Sequence, residues 1–199
     1  FEWLTCRFDG ARALSLDLEA GRRGIMSDAQ ALKIRDAVAD DRPAIRELVA
    51  QLSLYETTYA EDRTARPEHA EEYLTALEGR IAARGGAILL AESETNGDGA
   101  HSERIVLGYS AYVIASDDEY IVERYRRHIY ITDMFVRENA RKMGVGRALI
   151  SEIRGRATDL GIVRIGIGAL ARNAHALEAY ARLGFASYAI EHVLDLDRI

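Results

Sequence analysis

Residues 129–160 form the strongest local pattern in the sequence: a strand, a glycine-containing turn and an amphipathic helix. Residues 129–136 (IYITDMFV) are rich in β-branched and aromatic side chains, which favour a strand. After the turn, apolar residues recur at helical spacing: Val145, Leu149, Ile153 and Leu160. Another strand is predicted over 163–167 (VRIGI). A strand, a crossover helix and a second strand make a parallel pair, so this segment requires a sheet with a parallel part.

The other patterns extend this unit into a mixed sheet of the α/β class with helices on both faces. Upstream they predict a strand over 33–38, two helices, and a hairpin of 87–91 and 105–115. The apolar stripes of the two helices are Ile45, Leu48, Val49 and Leu52, then Leu74, Leu77 and Ile81. Downstream they predict a short helix over 174–183 and strands over 185–190 and 192–196.

The first 25 residues show no regular period, and the first methionine of the chain is Met26. This stretch lacks the basic end and apolar core of a secretory signal. We therefore expect one domain over residues 26–199, with residues 1–25 as a loosely attached extension or leader. The alternative is a first strand or helix that packs on the domain.

Composition excludes several classes of protein. The formal net charge of −6 argues against a general nucleic-acid-binding surface. No apolar run approaches the ~18 residues of a membrane helix, so no membrane partner is expected. The single Cys6 excludes an intramolecular disulfide and fits a cytoplasmic protein. None of the five histidines pairs with another at metal-ligand spacing, which predicts that the protein has no metal site.

The turn over residues 141–147 (RKMGVGR) is a candidate phosphate site. Two glycines at a helix start expose backbone N–H groups at the positive end of the helix dipole, a geometry that binds phosphate or pyrophosphate. The pattern is not a P-loop, and Leu149 replaces the third glycine of a dinucleotide fingerprint. The alternative is a glycine turn that only lets the helix pack on the strand.

Two motifs lie about 30 residues apart in the C-terminal half of the chain. The first, R-x-x-G-x-G, comprises Arg141, Gly144 and Gly146. The second, N-x-x-A-x-x-x-Y-x-x-x-G-F, comprises Asn173, Ala176, Tyr180, Gly184 and Phe185. In this order, the motifs resemble those of the GNAT acetyltransferase superfamily. The resemblance extends from about Ile34 to the C-terminus.

The resemblance implies a GNAT-type twisted central sheet and acetyl-CoA bound where the strands 129–136 and 163–167 splay apart. The backbone N–H groups of Phe135 and Val136 would contact pantetheine as an added strand does. An amide at a bulge near Met134 would polarise the acetyl carbonyl. Asn173 would anchor the CoA arm from the other side. The pyrophosphate would bind the loop formed by Arg141, Lys142, Met143, Gly144, Val145, Gly146 and Arg147.

For acetyl transfer, a base must remove a proton from the ammonium form of the amine. An acid that gives a proton to the departing thiolate assists the reaction. The second motif places Tyr180 as that acid. Asp133, on the central strand, is the best-located carboxylate for the base, since Thr132 stands where some polyamine-acetylating relatives carry glutamate. A structural role for Asp133, with a water chain as the proton path, is the alternative. His128, just before the strand, is an outside candidate for a proton relay.

Acidic and aromatic residues fill the two segments that build the acceptor pocket in relatives. These are Tyr55, Glu56, Tyr59, Glu61 and Asp62, followed by Asp117, Asp118, Glu119 and Tyr120. This chemistry suits a cationic amine, although solvated loops have the same composition.

The resemblance predicts an acetyl-CoA-dependent N-acetyltransferase whose acceptor is a small-molecule or peptide amine, attacked directly in a ternary complex. The alternative is a non-catalytic acyl-CoA-binding regulatory or interaction module with the same fold. Pairing through the C-terminal strands would allow a homodimer.

Overall fold

The computed structural model describes residues 32–95 and 103–196. The predicted extension over 1–25 and its boundary at Met26 lie outside the described residues, as does most of the predicted turn at 95–99. The described part contains five strands, five α-helices and two short 3-10 turns. In chain order, the elements are β1 Leu32–Asp36, α1 Arg42–Glu56, α2 Pro67–Arg84, β2 Gly86–Thr95, β3 Glu103–Ser116, α3 Glu123–Arg126, β4 Arg127–Val136, α4 Val145–Asp159, β5 Ile165–Ile167 and α5 Ala174–Arg182.

The strands form one mixed sheet in the order β1-β2-β3-β4-β5. Neighbours from β1 to β4 are antiparallel, whereas β4 and β5 are parallel, with Ile129 opposite Ile165 and Ile131 opposite Ile167. The predicted mixed sheet and its parallel crossover are therefore confirmed. Helix α4 makes the crossover and begins directly after the glycine turn.

Helices cover both faces of the sheet, as predicted. On one face, α4 contributes Leu149, Ile150 and Ile153 to a core with Ile129 and Ile131. On the other, α1 and α2 pack against the sheet with these buried residues: Ile45, Leu48, Val49, Leu74, Leu77, Tyr109 and Phe135. The prediction that Leu160 belongs to the buried stripe of α4 is wrong, because α4 ends at Asp159 and Leu160 is 39% exposed.

A bulge in β4 changes which face its side chains occupy. Ala111 of β3 pairs with Asp133, but Tyr112 pairs with Ile131, so Thr132 is the extra residue. Side chains alternate along a regular strand, and Asp133 would otherwise share the α4 face with Ile131. The bulge moves Asp133 and Phe135 to the face covered by α1 and α2. It lies two residues before Met134, where the sequence resemblance placed it.

The predicted strands over 185–190 and 192–196 are wrong. Residues 185–196 form no strand, and Tyr188, Ile190 and Leu194 are 76%, 80% and 72% exposed. An alternating apolar pattern forms a strand only when an edge with free backbone groups pairs with it. The three-residue β5 offers little such edge, and it is shorter than the predicted 163–167.

Candidate active site

Strands β4 and β5 separate beyond the bulge and leave one edge of β4 without a strand partner. The parallel pairing covers only Ile129 to Ile131 on the β4 side. From Asp133 to Val136, β4 pairs with β3 alone among the described strands. The opposite edge can therefore bind an extended ligand by backbone hydrogen bonding. Because the Arg137 N–H donates to the Leu107 carbonyl of β3, alternation along β4 turns the N–H groups of Met134 and Val136 to this edge and that of Phe135 to β3.

The glycine turn has the geometry that an anion site needs. Gly144 adopts φ 86° as the N-cap of α4, and Lys142 also has a positive φ of 66°. The Arg141 N–H donates to the Glu138 carbonyl, and the first helical hydrogen bond in this turn runs from the Ala148 N–H to the Gly144 carbonyl. The N–H groups of the first turn of α4 have no partner within the helix and can face an anion. The predicted loop residues divide by exposure: Arg141, Lys142, Met143, Gly144 and Arg147 are exposed, Gly146 is half-buried and Val145 packs in the core.

Asn173 and Tyr180 come from the same short helix, α5. The Asn173 Oδ1 accepts a hydrogen bond of 3.0 Å from the Ala176 N–H, which caps the helix and leaves the Asn173 amide NH2 to contact a ligand. Tyr180 is half-buried and its ring centroid lies 6.0 Å from that of Phe185. Burial, followed by the charges of Glu56 and Asp133, raises the pKa of Tyr180 to about 12. Tyr180 is therefore protonated at neutral pH and can donate.

Asp133 is buried beneath α2 and bound by two tyrosines. The Tyr73 hydroxyl lies 2.9 and 2.8 Å from the two carboxylate oxygens of Asp133, and the Tyr109 hydroxyl lies 3.4 Å from Oδ1. Only 6% of Asp133 is exposed. Burial raises the pKa of Asp133, and the hydroxyl donors oppose that rise. A carboxylate with a raised pKa is a better proton acceptor than an ordinary aspartate.

Asp133 opens into a cavity of about 380 Å³ between α1, α2 and β4. Its lining includes Glu56 at the end of α1 and Asp62 in the following connection, two of the acidic residues predicted for an acceptor pocket. The remaining lining residues are Val49, Leu52, Ser53, Arg63, Thr64, His69, Tyr73 and Thr132. Tyr55 and Tyr59 instead bind each other, with 2.8 Å between their hydroxyl oxygens.

The second predicted pocket segment is not part of this cavity. Residues 117–120 are absent from its lining, and Asp117 lies 3.6 Å from the His128 Nδ1. His128 also contacts the Arg126 carbonyl at 2.9 Å, so it does not reach the cavity as a proton relay. Tyr73 and His69 are among the lining residues that the sequence did not predict, with Ser53, Arg63 and Thr64. Within the described ranges, no three His, Cys, Asp or Glu residues are grouped as a metal site would require.

The acetyltransferase (GNAT) family model matches residues 49–185, well over half of the chain. The chain belongs to the GNAT acetyltransferase family. The match includes the C-terminal half of α1, both motifs and the residues of the cavity. No curated protein shows significant sequence similarity to the chain.

Solved structures have the same fold at low sequence identity. BH1408 from Bacillus halodurans superposes with a TM-score of 0.61 at 17% identity, covering 82% of this chain and 99% of that one. A predicted acetyltransferase from Clostridium acetobutylicum, solved with acetyl-CoA, gives 0.59 at 15%, covering 85% and 99%. AAC(6')-Iy in complex with the bisubstrate analogue CoA-S-monomethyl-acetylneamine gives 0.56 at 17%, covering 83% and 99%. These similarities support the GNAT fold.

Replacing Gly144 by valine in this GNAT protein should weaken acetyl-CoA binding by about tenfold or more. Space does not oppose the substitution, because a Cβ at Gly144 would meet no atom within 4 Å. The positive φ of Gly144 opposes it, because valine strongly disfavours that backbone conformation. If the turn relaxes to a negative φ, its N–H groups no longer point toward one anion.

Isothermal titration of the variant with acetyl-CoA measures the effect. Gly155→Val is the matched control, since Gly155 is an exposed residue of α4 with equally open space around its Cβ. Wild-type affinity in a folded Gly144→Val protein would show that the pyrophosphate binds elsewhere.

Proposed function

We propose that the protein transfers the acetyl group of acetyl-CoA to an amine acceptor by direct attack in a ternary complex. The observation that supports this most is that Asp133 and Glu56 line one cavity and that the charges of both, after burial, help to raise the pKa of Tyr180. The proposed acid is therefore within electrostatic range of the proposed base.

The chain's own residues fit acetyl-CoA along one path. The free edge of β4 offers the backbone N–H groups of Met134 and Val136, whereas the N–H of Phe135 faces Tyr109 in β3. Val136 is placed to bind pantetheine, and Met134 lies near the bulge, where the acetyl carbonyl is to be polarised. The exposed cations Arg141, Lys142 and Arg147 surround the N-terminus of α4, where the pyrophosphate is to bind. Asn173 offers its amide to the CoA arm.

Two proton transfers complete the reaction. Asp133 takes one proton from the ammonium, and the free amine nitrogen attacks the thioester carbon. When the carbon–sulfur bond breaks, Tyr180 gives its hydroxyl proton to sulfur and takes the second nitrogen proton. The products are the acetamide and the CoA thiol, and Asp133 releases its proton to solvent.

A cationic amine suits the charge of the cavity. Its lining includes three carboxylates, Glu56, Asp62 and Asp133, against the single guanidinium of Arg63. A small-molecule amine or a peptide N-terminus fits this chemistry. The acetylneamine analogue is a ligand of AAC(6')-Iy, and it does not identify the acceptor of this chain. A homodimer and a cytoplasmic location stay predictions. No helix in the described ranges has the length and apolar character needed to cross a membrane.

Acetyl-CoA should stabilise the protein without any added metal. At ~100 times its dissociation constant, a ligand stabilises the folded state by about 2.7 kcal/mol, which raises the melting temperature of a domain of this size by about 5 to 10 °C. Differential scanning fluorimetry with and without EDTA measures the shift.

Release of CoA thiol across a panel of amines and peptide N-termini then tests transfer itself. A melting shift without thiol release from any amine would favour a non-catalytic CoA-binding module. No shift at saturating acetyl-CoA would contradict the proposed acetyl-CoA site.

A further inference from the structure

Asp133 has little capacity left for the role of sole proton acceptor. Both of its oxygens lie within hydrogen-bond distance of the Tyr73 hydroxyl, and Oδ1 also faces Tyr109. Its side chain is almost fully buried. A base must present a lone pair to the proton that it removes. Asp133 is anchored well, but it presents only a small surface to the cavity.

Glu56 has the opposite character in the same cavity. It is the last residue of α1, half-buried, and its carboxylate makes no hydrogen bond or ion pair with a described residue. The charge of Arg63 favours the ionised form of Glu56, while the charges of Asp133 and Asp62 repel it. Its oxygens are therefore available to an ammonium that enters the cavity.

We propose that Glu56 is a second catalytic carboxylate, which shares with Asp133 the proton taken from the acceptor amine. This inference rests on the proposed amine acetyltransferase function. Asp133, fixed by Tyr73, supplies a stationary negative charge, and Glu56 supplies the accessible oxygens. The proton passes from the ammonium nitrogen to Glu56 and leaves the amine lone pair free. Two interacting carboxylates titrate as a pair, so the acid limb of the rate profile belongs to both.

The electrostatics of the cavity support this pairing. Burial raises the pKa of Glu56, and the like charge of Asp133 adds to that rise. The charge of Asp133 thus makes Glu56 a stronger base than an ordinary glutamate. The other titratable or charged groups that face the pair are Asp62, Arg63, His69, Tyr73, Arg80, Tyr109 and Tyr180.

Substituting Glu56 by glutamine tests the pair in the free protein and in turnover. Removing one negative charge favours ionisation of the other carboxylate, so the pKa of Asp133 should fall. Carbon-detected NMR titration of the carboxyl groups measures this without substrate. In turnover, the acid limb of kcat/KM should move to lower pH, and its plateau should fall by ~10-fold or more.

Two further variants separate the role from general effects. Glu72→Gln removes one charge beside Tyr73 on the exposed side of α2, and it should change neither the pKa of Asp133 nor the rate. Glu56→Asp keeps the charge and withdraws the oxygens, so it should restore the acid limb but not the plateau.

Each outcome is decisive. An unchanged pKa of Asp133 in Glu56→Gln would overturn the role of Glu56, and so would a kcat/KM profile with the wild-type plateau and acid limb. Amine acetylation by the wild-type protein would still support the transferase function in that case. A wild-type protein that acetylates no amine would instead overturn the proposed function itself, and with it the role of Glu56 in that reaction.

Discussion

Replacing Asp133 by asparagine should lower kcat for acetyl transfer by about 100-fold or more and leave the protein folded. The substitution keeps the size of the side chain and removes one of the two carboxylates that are proposed to share the proton of the ammonium. General base catalysis contributes ~10²–10⁴-fold in enzymes, and Glu56 retains part of that function here. Steady-state CoA-thiol release with the best amine measures the loss.

Stability should move in the opposite direction to activity. The folded-state pKa of Asp133 is raised above its unfolded value by burial, so its ionisation destabilises the fold progressively as the pH rises through that range. Asparagine does not ionise, and the melting temperature of Asp133→Asn at neutral pH should be unchanged or higher. The Asp133→Asn curve should also lose the decline in stability that the wild-type protein shows with rising pH.

Asp118→Asn is the matched control for this variant. Asp118 is exposed on the loop before β4, which the sequence assigned to the acceptor pocket and the structure places outside the cavity. It should leave both rate and melting temperature unchanged. Normal turnover in folded Asp133→Asn would contradict the assignment of Asp133 as a base.

The sequence could predict the CoA side of the site because its signals are local. The strand, the glycine turn and helix α4 are consecutive, and the turn requires a residue that tolerates the positive φ found at Gly144. Asn173 and Tyr180 likewise lie within one nine-residue helix and its cap. Short-range patterns of this kind fix the relative placement of groups before any tertiary contact forms.

The acceptor side depends on contacts that no local pattern encodes. Tyr73 and Asp133 are 60 positions apart, and they meet only because α2 packs over β4. The face that Asp133 occupies depends on the single extra residue Thr132, which resets the alternation of β4. Glu56 at the end of α1 and Asp118 in the loop before β4 are both acidic residues of polar sequence segments, and only the packing distinguishes the one that lines the cavity.

The prediction of two C-terminal strands was wrong for a related reason. The alternation of Tyr188, Ile190 and Leu194 fits a half-buried strand, but alternation specifies the faces of a strand and not its partner. Pairing needs an edge of sufficient length, and β5 has three residues. The pattern therefore identified residues suited to a strand in a place where the described chain offers no partner for one.

Replacing Tyr180 by phenylalanine should lower kcat by about 10- to 100-fold and change acetyl-CoA affinity by no more than a few fold. The ring and its packing against Phe185 survive, and only the hydroxyl is lost. The low end of the usual range is expected because a thiol, with a pKa of ~8.5, is more acidic than Tyr180. Proton transfer from Tyr180 to a thiolate is uphill on its own, so it is coupled to the uptake of the nitrogen proton by the same oxygen.

Paired rate and binding measurements distinguish three roles for Tyr180. A slower turnover with normal affinity supports the acid, a large loss of affinity with normal turnover at saturation makes the hydroxyl a CoA ligand, and no change makes Tyr180 a packing residue. Tyr120→Phe makes the same chemical change at an 82% exposed site and should be silent. The burial that raises the pKa of Tyr180 to about 12 keeps its hydroxyl protonated across the working range of pH. The rate ratio between wild type and Tyr180→Phe should therefore stay constant from neutral pH to about pH 9, whereas an acid of ordinary pKa would begin to lose its advantage there.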